Sequence, residues 1–208
     1  MKRVIVYCEG PTEETFVNQI LSPFFVQKDI FMTATSFDGV SKYSIIKKKL
    51  SDLCKSDKSA VITTMLDYYG LPSDTPGKNP QYGIDIYERV EHVEECIKQD
   101  IGLDNLLPNI IMHEFEALLF SKPECFEYCE LPKGDIKKLC DMRVDAETPE
   151  HINNSPNTAP SKRILAVYPE YSKVIDGYNI AFDIGLSTMR NECKHFDKWL
   201  SSLEKIKV

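Results

Sequence analysis

Carboxylates carry the chemistry that this chain's spacing suggests. Glu9 follows the apolar run Arg3 to Cys8 and opens Glu9-Gly10-Pro11-Thr12-Glu13, and Asp67 follows Ala60 to Leu66. His113 and Glu114 close a third such run, Asn109 to His113, with Glu116 just beyond. One acid after a strand is ordinarily a cap or a turn residue. Three at the ends of three strands suggest more. Carboxylates gathered on one edge repel, and their pKa values rise unless a cation sits among them. Hard oxygen ligands on such an edge suit Mg²⁺ or Mn²⁺, which bind through a few carboxylates, waters and substrate phosphate.

The other residues near these acids each have a structural and a chemical reading. Glu13 either complements the dipole of the first helix or reaches back to the strand edge. Glu114 and Glu116 are two residues apart, so a regular helix cannot aim both at that edge, and Glu116 is the preferred of the two. His113 is a ligand, an acid-base group or a hydrogen-bonded core histidine, the last being the default. Gly10 permits a close turn, and Pro11 stiffens the entry to a helix whose free amides can face phosphate. Nucleophile chemistry has little support, since the chain has no G-x-S-x-G elbow, Walker loop or G-x-G-x-x-G motif.

Parallel strands are the elements that bring distant acids to one edge. Short β-branched runs alternate with amphipathic stretches, which predicts β-α-β units in an α/β fold. The expected strands are Arg3 to Cys8, Phe31 to Phe37, Ala60 to Leu66 and Asn109 to His113. The expected helices are Thr12 to Lys28, with a kink at Pro23, Lys42 to Lys55, burying Ile45, Ile46, Leu50 and Leu53, and Ile84 to Ile101. Asp67 to Gly83 is longer than a usual connection and marks a functional loop or lid. Beyond Glu114 the pattern is helical, with a polar stretch from Asp145 to Pro160. The reading is one domain: an α/β core over 1–120, with a parallel sheet of about four strands flanked by helices, and a helical cap over 121–208 packed on it.

Composition bounds the partners. With 42% hydrophobic and 27% charged residues, the 208-residue chain is an ordinary globular one. Its net charge of −7 argues against a passive DNA-coating protein but not against an enzyme that meets phosphate at one metal-screened site. It is read as having neither signal peptide nor membrane span. Seven cysteines without C-x-x-C pairing read as reduced thiols of a cytoplasmic protein, with Cys125, Cys129 and Cys140 a loose metal alternative.

Three segments together resemble a known family. They are Glu9-Gly10-Pro11-Thr12-Glu13, Leu66-Asp67-Tyr68-Tyr69-Gly70-Leu71-Pro72 and His113-Glu114-Phe115-Glu116-Ala117-Leu118-Leu119-Phe120. With Pro149-Glu150-His151-Ile152-Asn153, Pro160-Ser161-Lys162-Arg163 and the stretch from Gly185 to Trp199, they resemble the bacterial family catalogued as domain of unknown function 4276. That family is similar to the Toprim-like nucleases of the overcoming-lysogenisation-defect group and of phage-defence operons. The resemblance implies a Toprim/Rossmann-like sheet and catalytic Mg²⁺. By position, Glu9 becomes the principal metal and acid-base carboxylate, Asp67 a metal ligand, and Glu13 and Glu116 supporting acids, with Glu114 a further candidate ligand. Where the Toprim D-x-D motif has its second aspartate this chain has Tyr69, which removes one expected ligand. The resemblance also implies an ATPase partner of the structural-maintenance or ABC type.

The leading expectation is therefore metal-dependent hydrolysis of DNA or RNA phosphodiesters, in phage defence or genome maintenance. Lys162, Arg163 and Arg190 are candidate phosphate contacts, although for any one of them a solvated helix face is the default reading. Tyr69, with Tyr68, is a candidate for base stacking. The rival expectations are a non-catalytic regulatory partner of an ATPase and a small-molecule phosphohydrolase. A homo-oligomer is compatible with all three.

Overall fold

The computed structural model describes residues 2–36, 42–79, 83, 85–152 and 158–206. Phe37, Ile84 and Asn153, which the sequence placed in a strand, a helix and a motif, lie outside them, as does part of the Asp67–Gly83 loop. The chain divides into two compact units, Met1–Ile111 with Leu203–Val208, and Met112–Ser202.

The first unit is built on a parallel sheet of β1 (Lys2–Cys8), β2 (Ile30–Ser36), β3 (Ala60–Asp67), β4 (Leu106–Leu107) and β5 (Ile110–Ile111). Its order is β2-β1-β3-β4, with β5 also paired to β3. β1 and β3 are the central strands; β3 is buried at all but one position and β1 over Val6–Cys8 and at Val4, as β-branched runs covered on both faces are. Between β1 and β2 run α1 (Pro11–Phe16), a π-helical turn (Val17–Leu21) and α2 (Ser22–Val26). α3 (Tyr43–Ser56) connects β2 to β3, and α4 (Ile86–Ile101) connects β3 to β4.

The first crossover steps one way along the sheet from β1, and the next two step the other way. Because such crossovers are right-handed, α1 and α2 cover one face and α3 and α4 the other, and α3 does pack on α4. The chain direction therefore switches between β1 and β3. In open α/β sheets that switch opens a crevice outside the carboxyl ends of the two strands.

Several elements differ from their expected form. The helix expected over Thr12 to Lys28 is interrupted by the π turn, in which the Ser22 N–H reaches back five residues to the Val17 carbonyl, just ahead of the expected kink at Pro23. α3 buries Tyr43, Ile46, Leu50 and Cys54, while Ile45 is 41% exposed. The true stripe steps by three and four residues, and Ile45 falls beside it. Of the fourth strand expected over Asn109 to His113 only Ile110–Ile111 is strand, and a further short strand, Leu106–Leu107, precedes it. Pro108 splits them, and Asn109 replaces the ladder with side-chain bonds: its N–H donates to Thr64 Oγ1 at 2.8 Å, and Thr64 Oγ1 donates to the Asn109 carbonyl at 2.6 Å.

The second unit contains no strand among the described residues. Its centre is a 3₁₀ segment, Phe115–Ser121, buried at all seven positions. A second 3₁₀ segment (Pro123–Cys129), α5 (Lys133–Val144), the 3₁₀ turn Pro149–His151, α6 (Pro160–Val167), α7 (Ile175–Ile184), α8 (Leu186–Glu192) and most of α9 (Lys194–Glu204) complete it. Phe115, Phe120, Phe126, Leu139, Ile164, Met189 and Phe196 form its core. The helical pattern expected beyond Glu114 is thus present. No helix among the described residues is long and apolar enough to cross a membrane.

Candidate functional site

Glu9 and Asp67 meet at the switch between β1 and β3. The two strands run in register from Arg3↔Ala60 to Cys8↔Met65, so both acids leave the sheet at the same edge. The Glu9 N–H donates to the Met65 carbonyl at 3.1 Å, continuing the ladder one residue past β1. Its carboxylate then turns across to β3, where Oε2 accepts the Asp67 N–H at 2.9 Å. Asp67 is 8% exposed. The loop after β3 folds back at once, the Leu71 N–H donating to the Asp67 carbonyl at 3.1 Å.

Gly70 makes this arrangement possible. A Cβ at that position would lie 2.5 Å from Glu9 Oε2 and 2.7 Å from Cδ, so the carboxylate is seated against bare backbone. Gly70→Ala should leave the fold intact, because a flexible side-chain end can yield, while moving Glu9 off its bond to Asp67. We expect about a 10²-fold loss of any activity or metal affinity that depends on Glu9, with melting temperature nearly unchanged. Titration of both proteins with Mn²⁺ and a thermal melt would check this. Glu9, Ile46, Leu66, Gly70, Leu71 and Pro72 line a small open recess beside the carboxylate. Further along the loop, Lys78 Nζ donates to the Leu71 carbonyl and lies 5.7 Å from the centre of the Tyr68 ring. Burial lowers the Lys78 pKa, and the charge of Glu9 opposes that shift.

Glu13 closes a capping box at the start of α1, its Oε2 accepting the Gly10 N–H at 3.0 Å. Tyr69 stands edge-on to the buried Tyr68, ring centres 6.0 Å apart. The remaining candidates belong to the second unit. His113 is buried and has a positive φ of 64°, unusual for a residue with a Cβ. Glu114 Oε2 accepts the Ser161 N–H at 2.9 Å in the first turn of α6. Lys162 is exposed, Arg163 Nε donates to the Thr158 carbonyl at 2.9 Å, and Arg190 is held by Asp197 at 2.5 Å and by Ser201 at 3.0 Å.

Glu116 is 1% exposed and forms an ion pair with Lys173 at 3.1 Å. Burial raises its pKa above the ordinary 4.5, and Lys173 counteracts this in part while Glu114 adds to it. The buried Tyr171 hydroxyl senses the same charge. A carboxyl whose folded pKa exceeds its unfolded one binds more protons when folded, so its contribution is fully present below the unfolded pKa and is lost as pH rises through the folded pKa. Melting temperature should therefore fall less between pH 4 and pH 8, values on the order of the carboxylate-to-neutral range, in Glu116→Gln than in wild type. A melt series in both proteins would check the sign.

The residues near Glu9 that sequence reasoning missed are Gly70 and Lys78. Gly70 stood in the Leu66–Pro72 motif of the resemblance without a role, and for Lys78 the length of the loop was the available signal. Among the described residues, no three His, Cys, Asp or Glu side chains are grouped to hold a metal, and this includes Cys125, Cys129 and Cys140. Glu9 and Asp67 bring the hard-oxygen donors of the kind Mg²⁺ or Mn²⁺ takes beside water and phosphate to adjacent strand ends, joined through the Asp67 amide.

The family described as Domain of unknown function (DUF4276) matches residues 8–204, a span that includes both strand-end acids and all of the second unit's candidates. The chain belongs to the DUF4276 family. No curated protein matches it. Among solved structures, the DUF4276 chain is similar to the C-terminal region of the Xanthomonas campestris pv. campestris OLD protein, at 14% identity, covering 97% of each chain with a TM-score of 0.43. It is also similar to the C-terminal region of the Burkholderia pseudomallei OLD protein, at 15% identity, covering 95% of this chain and 98% of that one with a TM-score of 0.45.

Proposed function

We propose that this DUF4276 protein is a Toprim-like, metal-dependent phosphodiesterase acting on DNA or RNA, in a cytoplasmic setting and with an ATPase partner. The observation that supports the reading best is the bond from the Asp67 N–H to Glu9 Oε2. It joins two acids 58 residues apart at the switch point of a parallel sheet, where such folds bind ligands. Glu9 and Asp67 are the residues that would hold Mg²⁺ or Mn²⁺. When bound, the ion would supply Lewis-acid activation of phosphate and a more acidic water. The protein's part is positioning: the Asp67 amide fixes the Glu9 carboxylate, Gly70 gives it room, and the turn from Asp67 to Leu71 holds both strand ends together. Tyr69, edge-on to Tyr68, is a candidate stacking surface for a base.

A second reading is a regulatory, non-catalytic partner of an ATPase. Tyr69 in place of a second aspartate, and the lack of a three-ligand cluster among the described residues, favour it. The test is hydrolysis of single- and double-stranded DNA, RNA and free nucleotides with Mg²⁺, Mn²⁺ or chelator. Metal-dependent cleavage of polymer supports the phosphodiesterase. Turnover of nucleotides alone transfers the site to a small-molecule phosphohydrolase. Silence with every substrate and metal rejects the catalytic reading.

A further inference from the structure

We propose that the outward face of α7, with the 3₁₀ segment Pro123–Cys129 beside it, is a docking surface for a basic amphipathic helix of a partner protein. This does not depend on the reading of Glu9 and Asp67. α7 is apolar on both of its sides. Gly177, Ile180, Ala181 and Ile184 are its buried positions, and the steps of three and four residues from Ile175 to Tyr178 to Phe182 run along the opposite side. Ile175 and Phe182 are each 63% exposed, and the Tyr178 and Phe182 rings lie 6.2 Å apart, centre to centre. A helix that is hydrophobic all round ordinarily has cover all round.

The segment Pro123–Cys129 packs on α7 and widens this face on one flank. Tyr128, 50% exposed, is fixed there by its hydroxyl, which accepts a hydrogen bond from the Asn179 side-chain amide at 2.8 Å. Single exposed apolar residues are ordinary, whereas a continuous aliphatic and aromatic strip with a charged rim is the form an interaction site takes. The rim on this flank is acidic. Asp183 follows Phe182 on α7, and Glu124 and Glu127 stand exposed on the neighbouring segment, while Lys122, just before it, offsets one of these charges. A second copy of the chain would bring the same acids and a net charge of −7 to that rim. The complementary occupant is instead a helix with apolar residues at i, i+3 or i+4 and i+7, and with Lys or Arg along one flank. Its contact would run along a strip of about 10 Å, two helical turns.

The probe is a labelled synthetic peptide of about five helical turns, leucine on one face and lysine on the other, followed by fluorescence anisotropy. A matched peptide with glutamate in place of lysine is the charge control. Wild type should bind the Leu/Lys peptide at least about tenfold more tightly than the Leu/Glu peptide. Ile175→Ser with Phe182→Ser should weaken that binding by about tenfold, and Glu127→Lys with Asp183→Lys should reverse the preference between the peptides. Both apolar positions are exposed, so the serine variant should melt with wild type, which shows that folded proteins are being compared. Equal binding of the Leu/Lys peptide by the serine variant, an unreversed preference in the lysine variant, or no binding by wild type overturns the proposal. Sedimentation of the protein alone and flotation with phosphatidylglycerol vesicles test the rival occupants. A dimer, or vesicle binding, that Phe182→Ser abolishes gives this face to a second copy or to a membrane and overturns the proposal as well.

Discussion

Glu9→Gln should lower metal-dependent hydrolysis by on the order of 10²–10³-fold while the protein keeps its fold. The expectation follows from what the substitution spares. Glutamine retains the length of the side chain and one carbonyl oxygen, so the Asp67 N–H, now 2.9 Å from Glu9 Oε2, keeps an acceptor. What disappears is the negative charge that a divalent ion needs at this strand end. Asp67→Asn is the matched partner: its backbone amide still fixes Glu9, and its side chain loses charge in the same way. If both acids serve one ion, the double variant should be scarcely worse than either single one. Parallel rate and Mn²⁺-binding measurements on the three variants would decide it, and wild-type rates in Glu9→Gln would remove this carboxylate from the chemistry.

Glu150→Ala should be among the most destabilising single substitutions in the second unit. Glu150 is 3% exposed, and its two oxygens accept the His195 N–H at 3.1 Å and the Phe196 N–H at 3.0 Å, at the start of α9. A carboxylate at that position satisfies two amides that the helix itself cannot, and it lies at the positive end of the helix dipole. Hydrogen bonds involving a charged group contribute roughly 1.5–3 kcal/mol each, so a loss of about 3–6 kcal/mol is expected, or a melting temperature lower by about 6–24 °C. Glu150→Gln keeps an acceptor without the charge and should lose about half as much. Denaturant or thermal unfolding of the three proteins gives the comparison. A change below about 1 kcal/mol in Glu150→Ala would mean that water replaces the cap.

The two central strands were legible because burial on both faces demands unbroken β-branched runs, and Arg3 to Cys8 and Ala60 to Leu66 supply them. The acids at their ends could be picked out for the same reason, since a charge that follows such a run must lie at the sheet edge. Other features were hidden. The strand expected over Asn109 to His113 missed the short piece at Leu106–Leu107, and the break between the two depends on Pro108 and on Thr64 standing opposite Asn109, a tertiary fact. The stripe on α3 was misplaced because Tyr43 and Cys54, which bury as readily as leucine here, are ambiguous by residue type. Gly70 and Lys78 belong to a loop, where no period exists to read. Glu150 stood in a motif of family resemblance, but its cap on α9 joins residues 45 and 46 apart in the chain.

The π turn at Val17–Leu21 makes this stretch intolerant of deletion. Its extra residue brings Ser22 and Phe25 to where they are needed: Ser22 Oγ donates to the Met32 carbonyl at 3.0 Å, and Phe25 is fully buried. Losing one residue there would tighten the turn to an ordinary helix and rotate everything after it by about 100°. Phe25 would swing toward water, and the anchor on β2 would part. Variation in length among relatives should therefore avoid these five positions.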